Sequence, residues 1–441
     1  RYAVDHNVNV QKARIDRVIA DKKVRETTGI GLPQLDAQGK YNYFLNVPVQ
    51  LLPAELAGGA PGEYIPVKFG QKQNMTGGIT LTQLLFSGSY IVGLQSAKAY
   101  KETMALAEEK TEISVQEGIS MAYAGVLVTD ENIKTLEENR RVAEKSLNDL
   151  RETYKVGLAE LQSVEQLEYS YKSLVANQQN LVRTRARLVM ALKYLMNYPL
   201  NETLTLTTSL DELVRRNEGL VAMEDNYNFD NHVDFRLKQN ALRLSELQLK
   251  LQKSKYLPTL AAALSSNYNG YGDKFEFFTN NQKWFNTSVV AVQLDVPIFN
   301  GLQRHYQVQQ AKLNVEKAKL DLDDTRKNLQ NSAYSSAIEF QNSFNLYRNA
   351  QELIALSESI FNKMQIKFKE GMATSTELQQ AESQLYESQT KYYEAAIGLV
   401  RARTSYDTAL GSLNANSATA TPANINQNIQ NTNSNNINST Q

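Results

Sequence analysis

The sequence predicts a membrane α+β fold: four transmembrane β-strands per chain for a shared barrel, continued by a long α-helical coiled-coil barrel, in two internal repeats. Three observations predict it. Four segments alternate apolar and polar residues at period two. Two long Pro-free helical runs follow the second and fourth of these segments. Landmarks of the first half then recur in the second half at nearly fixed offsets.

Taken in order, residues 2–28 read as a helix with Val10, Ala13, Ile15, Val18, Ile19 and Val24 as apolar positions, stopped by Gly29–Pro33. From Leu35 to Val47 the alternation is nearly strict. Leu35, Ala37, Gly39, Tyr41, Tyr43, Leu45 and Val47 take one face, and Gln34, Asp36, Gln38, Lys40, Asn42 and Asn46 the other, with Phe44 the exception. Such a strand exceeds the usual globular length of about five or six residues. It suits an apolar-out, polar-in barrel strand. Residues 48–74, with Pro48, Pro53, Pro61, Pro66 and Gly58-Gly59, read as a long loop whose apolar content folds over something. From Thr76 the strand pattern returns, Ile79 and Leu81 alternating with Thr80 and Thr82. It runs into a helix from Gly88 to about Leu150, roughly 90 Å at 1.5 Å per residue. Few globular cores are that deep, so the helix belongs in a bundle or coiled coil. A Gly157 turn and a second helix ending at Tyr198-Pro199 complete an αα-hairpin. Asn201–Glu224 is a connector with a strand-like TLTLTT.

The second half repeats the plan: a helix over 231–255, a strand over 259–269, an aromatic loop, the strand VVAVQLDVPIF, then long helices on either side of Gly371. Pro258 lies 225 residues after Pro33, Phe299 lies 213 after Phe86, and Gly371 lies 214 after Gly157. Helix lengths are held while the strand–strand loop varies, as two hairpins packed side by side require. The predicted organisation is therefore a first repeat over 1–199, a connector over 200–230, a second repeat over 231–413 and a disordered Asn-rich tail over 414–441.

Acidic and basic residues balance at 47 each, which argues against a nucleic-acid partner. There is no Cys, so no disulfide, thiolate metal site or cysteine nucleophile exists, nor an N-terminal lipid on Cys in this sequence. The three His residues, His6, His232 and His305, are far apart in sequence. No metal-ligand spacing, nucleophile elbow or phosphate-cradling Gly loop occurs, so neither an enzyme nor a cofactor is expected. The chain opens at Arg1 without Met or a charged-then-apolar leader, which fits a processed mature form and equally a trimmed one. No run approaches the 18 or so apolar residues of a spanning helix, but barrel strands hide their hydrophobicity by alternating.

Four strands cannot close a barrel alone, and their edges need partners where no water reaches them. Cyclic oligomerisation supplies these partners, eight strands from two chains or twelve from three. The residues that decide further are doubled motifs: His6–Val10 leading to Leu32–Leu35, and His232–Phe235 leading to Leu257–Leu260. Gln83–Gly88 answers Val296–Gly301, and the Tyr154–Leu158 turn answers Phe368–Met372. In this order and spacing the chain resembles the TolC-like outer-membrane efflux channels over almost its whole length. That resemblance implies a homotrimer with a twelve-stranded barrel in the outer membrane of a Gram-negative bacterium and a periplasmic helical tunnel. It implies export of drugs, other small molecules or proteins with a periplasmic adaptor (membrane fusion protein) and an inner-membrane transporter. The loop from Val47 to Thr76 is longer than in the best-known members, implying a partly covered external mouth.

The resemblance also implies site residues. Val156, Gly157, Leu158, Gly371 and Met372 would form the adaptor-binding tip. Ser163 and Ala373 stand where the family often places a gating Asp and Arg, so that link does not carry over. Tyr154, Glu160, Gln162, Ser163, Glu165, Lys367, Lys369 and Glu377 remain as gate candidates, Glu377 as an acidic ring. Gly88 and Gly301 mark the barrel–tunnel junction. Tyr41, Tyr43, Tyr268, Tyr271, Trp284 and Phe285, beside Phe275, Phe277 and Phe278, are placed for an aromatic girdle. The competing reading is a coiled-coil scaffold or adaptor without a pore, for which four alternating strands have no use.

Overall fold

The Pro-free runs become helices of matching length. In the computed structural model, which describes residues 2–68, 70–217 and 228–413, α3 spans Gly88–Lys155 (68 residues) and α7 spans Gln303–Lys369 (67 residues). Each turns back into a shorter partner, α4 (Leu161–Met196) and α8 (Ser375–Ala409). Ahead of them lie α1 (Tyr2–His6) and α2 (Val8–Gly29) in the first half and α6 (Val233–Ser254) in the second, with α5 (Leu210–Asn217) between the halves. The expected single helix over 2–28 is split at Asn7, whose side-chain oxygen accepts from the Asn9 N–H at 2.8 Å and so starts a new helix. The strand-like TLTLTT of the connector forms no strand among the described residues. Leu204 and Leu206 are half-buried between exposed neighbours, yet residues 203–207 join no ladder. Alternating burial without a partner strand yields an extended connector. The Asn-rich tail lies outside the described residues.

The four alternating segments form one antiparallel sheet in the order β1 (Gln34–Tyr43), β4 (Gln73–Ser87), β5 (Thr259–Gly272), β6 (Trp284–Asp295). Its register turns four separate alternations into two continuous faces, because directly opposed residues share a side. Leu35, Leu81, Leu264 and Val290 form one row. Ala37, Ile79, Ser266 and Ser288 form the next on the same face. The other face carries Gln38, Gly78, Asn267 and Thr287, with Asn42 donating to Asn74 at 2.7 Å and Thr76 to Asn269 at 2.9 Å. On the apolar face the sheet is uncovered among the described residues: Ile79 and Leu264 on the central strands are 53% and 47% exposed, and Val290 on the edge 77%. Both edges, β1 and β6, lack a partner strand among the described residues.

β1 stops at Tyr43, short of the expected Val47; Phe44 adds one last bond to the Lys72 carbonyl, and the chain then departs. The last strand likewise ends at Asp295, before Val296, because Pro297 has no N–H for a ladder. Residues 48–74 are more than a loop. They hold a separate hairpin of β2 (Val49–Pro53) and β3 (Tyr64–Lys68), with a turn of 3-10 helix over Ala54–Ala57.

By contacts the chain divides into two compact units, each drawn from both halves. One comprises Val18–Glu102 and Asn240–Lys319 and holds the sheet; there Lys101 binds Asp21 at 2.6 Å and Asn240 donates to the Ala99 carbonyl at 2.9 Å. The other gathers residues up to Arg17, Thr103–Gln239 and the chain from Leu320 onward. Its core includes Val128 of α3, Leu210 and Val214 of α5, Phe340 and Tyr347 of α7, and Leu399 of α8. A second cluster joins Leu147 and Leu150 of α3 to Val164, Leu167 and Leu378.

Candidate channel tip, wall and junction

The two hairpin turns are built alike, atom for atom in their hydrogen bonding. Gly157 is left-handed (φ 77°), its N–H bonds the Tyr154 carbonyl at 2.9 Å, and the Leu158 N–H bonds the Thr153 carbonyl at 3.1 Å. Gly371 (φ 71°) bonds Phe368 at 3.1 Å, and Met372 bonds Lys367 at 2.8 Å. Both are Schellman closures, which satisfy the last carbonyls of α3 and α7 and demand a residue without a Cβ penalty. Val156, Leu158 and Met372 each remain at least 70% exposed, an apolar fringe around two bare turns.

Between the turns lies a groove of about 840 Å³ lined by Gly157, Glu160, Gln162, Ser163, Lys369 and Gly371, among others. Tyr154, Lys367 and Glu377 are outside this lining. Ser163 Oγ stands 3.0 Å from Ser375 Oγ, a neutral link between α4 and α8. Glu165 is exposed on α4. Glu377 is committed to its own helix. Its carboxylate accepts from the Thr374 N–H at 2.7 Å, and its N–H donates to Thr374 Oγ1 at 3.2 Å, a capping box. The Thr374 backbone bond, followed by its hydroxyl, holds the Glu377 pKa below the ordinary carboxylate range.

Sequence reading missed a polar seam along α8. Ser375, Glu382 and Gln389, seven residues apart, are all buried. Each binds a neighbouring helix: Ser375 binds Ser163, Glu382 accepts from Ser170, and Gln389 accepts from Asn139 at 2.7 Å. Tyr386 also donates to Glu382, at 2.6 Å, and burial, then the adjacent carboxylate, pushes the Tyr386 pKa far up. The heptad spacing was visible; the burial of such polar residues was not.

At the strand–helix junctions the two halves differ. β4 passes directly into α3, and a Cβ on Gly88 would come 2.7 Å from Leu257 Cδ1 and 3.3 Å from the Ser254 carbonyl, so a larger residue would displace the Leu257 side chain. After β6, residues 296–302 are irregular, and Gly301 (φ 64°) and Leu302 (φ 65°) are both left-handed. Ile298 (93% exposed) and Phe299 (81%) project from this linker.

The arrangement of a four-stranded sheet and two long helical hairpins superposes on proteins of known structure. Residues 230–412 match the family model described as outer membrane efflux protein. CusC, whose structures concern transmembrane channel formation, superposes with TM-score 0.74 at 14% identity over 93% of this chain and 90% of that one. The open-state Neisseria gonorrhoeae MtrE outer membrane channel gives 0.71 at 15% identity, covering 93% and 87%. The Campylobacter jejuni CmeC outer membrane channel gives 0.70 at 14%, covering 98% and 87%. The fold is that of the TolC-like outer-membrane efflux channels. No curated protein matches the chain by sequence.

In this TolC-like frame the girdle candidates divide between the faces. Tyr41 and Trp284 share a row on the apolar face through Met75 and Gly270, and Tyr43 and Tyr268 lie on the same side. Tyr271 and Phe285 fall on the polar face, where their rings meet at 6.3 Å. Phe277, 1% exposed, sits among Tyr41, Phe275 and Trp284 at 5.6–6.4 Å. Among the described residues no His/Asp/Glu group could hold a metal, and no helix is long and apolar enough to cross a membrane.

Proposed function

We propose that the chain is the outer-membrane exit duct of a tripartite efflux or type I secretion system, a passive channel for drugs, other small molecules or proteins. The observation that carries this reading is the sheet. It has an uncovered apolar face, a polar face of Asn, Thr and Ser, and an unpaired strand at each edge. Such a sheet is stable in a bilayer only when its edges are paired. Three copies joined β1 to β6 make twelve strands, with the apolar face to lipid and the polar face to a water-filled lumen. The helical hairpins then line a periplasmic tunnel. A periplasmic adaptor, loaded with an inner-membrane transporter, engages the bare turns at Gly157 and Gly371 and opens the tip. The groove residues Glu160, Gln162, Ser163 and Lys369 serve as the constriction. Tyr41, Tyr43, Tyr268 and Trp284 form the girdle, while Tyr271 and Phe285 stand at the lumenal mouth. A coiled-coil scaffold would leave the apolar face without purpose.

Deletion in the native host, read by drug susceptibility and by comparison of secreted proteins, tests the proposal. We expect higher susceptibility or a missing secreted protein, restored by the intact gene. Two unchanged phenotypes, with the protein extracted in the absence of detergent, would refute it.

A further inference from the structure

The two halves of the chain are each pinned by one buried side chain, and the two pins are chemically different. Asn7 (6% exposed) precedes α2. Its oxygen accepts from the N–H groups of Asn9 (2.8 Å) and Val10 (3.4 Å), and its Nδ2 donates to the Leu195 carbonyl at the end of α4, at 2.6 Å. His232 (5% exposed) precedes α6. Its Nδ1 accepts from the Asp234 N–H at 3.2 Å, and its Nε2 donates to the Thr408 carbonyl at the end of α8, also at 3.2 Å. His232 lies 225 residues after Asn7, and Thr408 lies 213 after Leu195. These are the offsets that separate Pro33 from Pro258 and Phe86 from Phe299. One side chain thus caps the opening helix of each half and ties it to the closing helix of the same half.

Asn offers an acceptor and a donor at any ordinary pH. Imidazole offers both only when neutral with its proton on Nε2. Protonation places an N–H on Nδ1, facing the Asp234 N–H, and adds positive charge at the positive end of α6. We propose that His232 makes the second pin proton-labile, so that acidification releases the α6–α8 tie while the Asn7 tie holds.

Among the described residues, carboxylates on the helices around the imidazole are already paired. Asp234 is taken by Lys110 of α3 at 2.5 Å, and Glu109 of α3 by Arg236 at 2.9 Å. On α8, Asp407 is taken by Arg403 at 3.0 Å. Arg326 of α7 lies over the Phe235 ring at 5.3 Å, and Asp230 is exposed to solvent. The imidazole also sits where a glycine leaves it room. A Cβ on Gly411 (φ 68°) would come 3.1 Å from His232 Cδ2, and the Phe229 ring meets the imidazole edge-on at 6.4 Å.

The test is hydrogen–deuterium exchange on the full chain in detergent, compared as protection factors at pH 8 and pH 5.5. In the natural chain we expect residues 232–237 and 408–413 to lose roughly five- to tenfold protection on acidification, the effect of one lost buried hydrogen bond. Residues 7–11 and 192–197 should keep theirs. His232→Asn should abolish the loss. Asn7→His should transfer it to residues 7–11 and 192–197. If Asn7→His does not assemble, the His232→Asn comparison decides. An equal acid-induced loss in His232→Asn, no loss in the natural chain, or the same loss in both halves would overturn the proposal. So would an assembled Asn7→His chain that gains no pH dependence.

Discussion

Neighbouring residues on one strand should respond to the same substitution in opposite ways. Leu264 and Ser265 sit near the middle of β5, and the register puts Leu264 in the apolar row with Leu81 and Val290, and Ser265 on the polar face with Thr80 and Val289. Leu264 is 47% exposed, so it faces the surroundings and not a protein core. Arg on a lipid face near the bilayer midplane costs about 2–4 kcal/mol. In the proposed trimer, three copies bring that to about 6–12 kcal/mol, comparable with the whole stability of many folded proteins. Leu264→Arg should therefore nearly abolish folded trimer in the outer membrane, whereas Ser265→Arg should assemble. Heat-modifiable mobility on gels and urea unfolding of the extracted protein measure both. Assembly of Leu264→Arg together with failure of Ser265→Arg would invert the faces and refute the barrel reading.

Two further outcomes follow from the tip. Gly371→Trp should cost about 1–2 kcal/mol of left-handed strain, with no clash because nothing lies within 4 Å of its Cβ direction; trimers should persist while drug accumulation rises to that of the deletion strain. The depressed folded-state pKa of Glu377 means its contribution is fully present above the unfolded value, about 4.3. It is lost as pH falls through the lower folded value. Thermal scans from pH 7 to pH 3 should show the natural chain losing more tip stability than Glu377→Gln.

The period-two pattern of β1 and β6 was readable because each of these strands has one apolar and one polar side. The Pro-free runs gave α3 and α7 almost to their ends. What stayed hidden depended on partners distant in sequence. Pro53 and Pro66 look like breakers, yet they fit in β2 and β3 because an isolated hairpin consists of edges. TLTLTT has the alternation of a strand but no partner strand among the described residues. Tyr271 and Phe285 looked equivalent to Tyr268 and Trp284 until the register set them on the other face. Glu377 read as an acidic-ring position, and the Thr374-x-x-Glu377 spacing of a capping box was there to see. Asn7 and His232 share no chemistry that a residue alphabet displays, and only their common partners reveal the equivalence.

The pairing of β4 with β5 also governs how the chain can be made. Thr76 opposes Asn269, 193 residues later, so the centre of the sheet is its most non-local contact. The entropic cost of so long a loop grows only logarithmically, but the contact cannot start until β5 has emerged. Until then the β1–β4 ribbon waits with one apolar face and two bare edges, a species inviting wrong partners. α4 (36 residues) is only about half as long as α3 (68 residues), and it is α6 that meets the start of α3. There Asn240 donates to the Ala99 carbonyl at 2.9 Å and Ser254 Oγ lies 3.3 Å from Ser89 Oγ, so docking of α6 brings β5 to β4. A chain that stalls before α6 therefore keeps its first ribbon unpaired, however complete its helical hairpin.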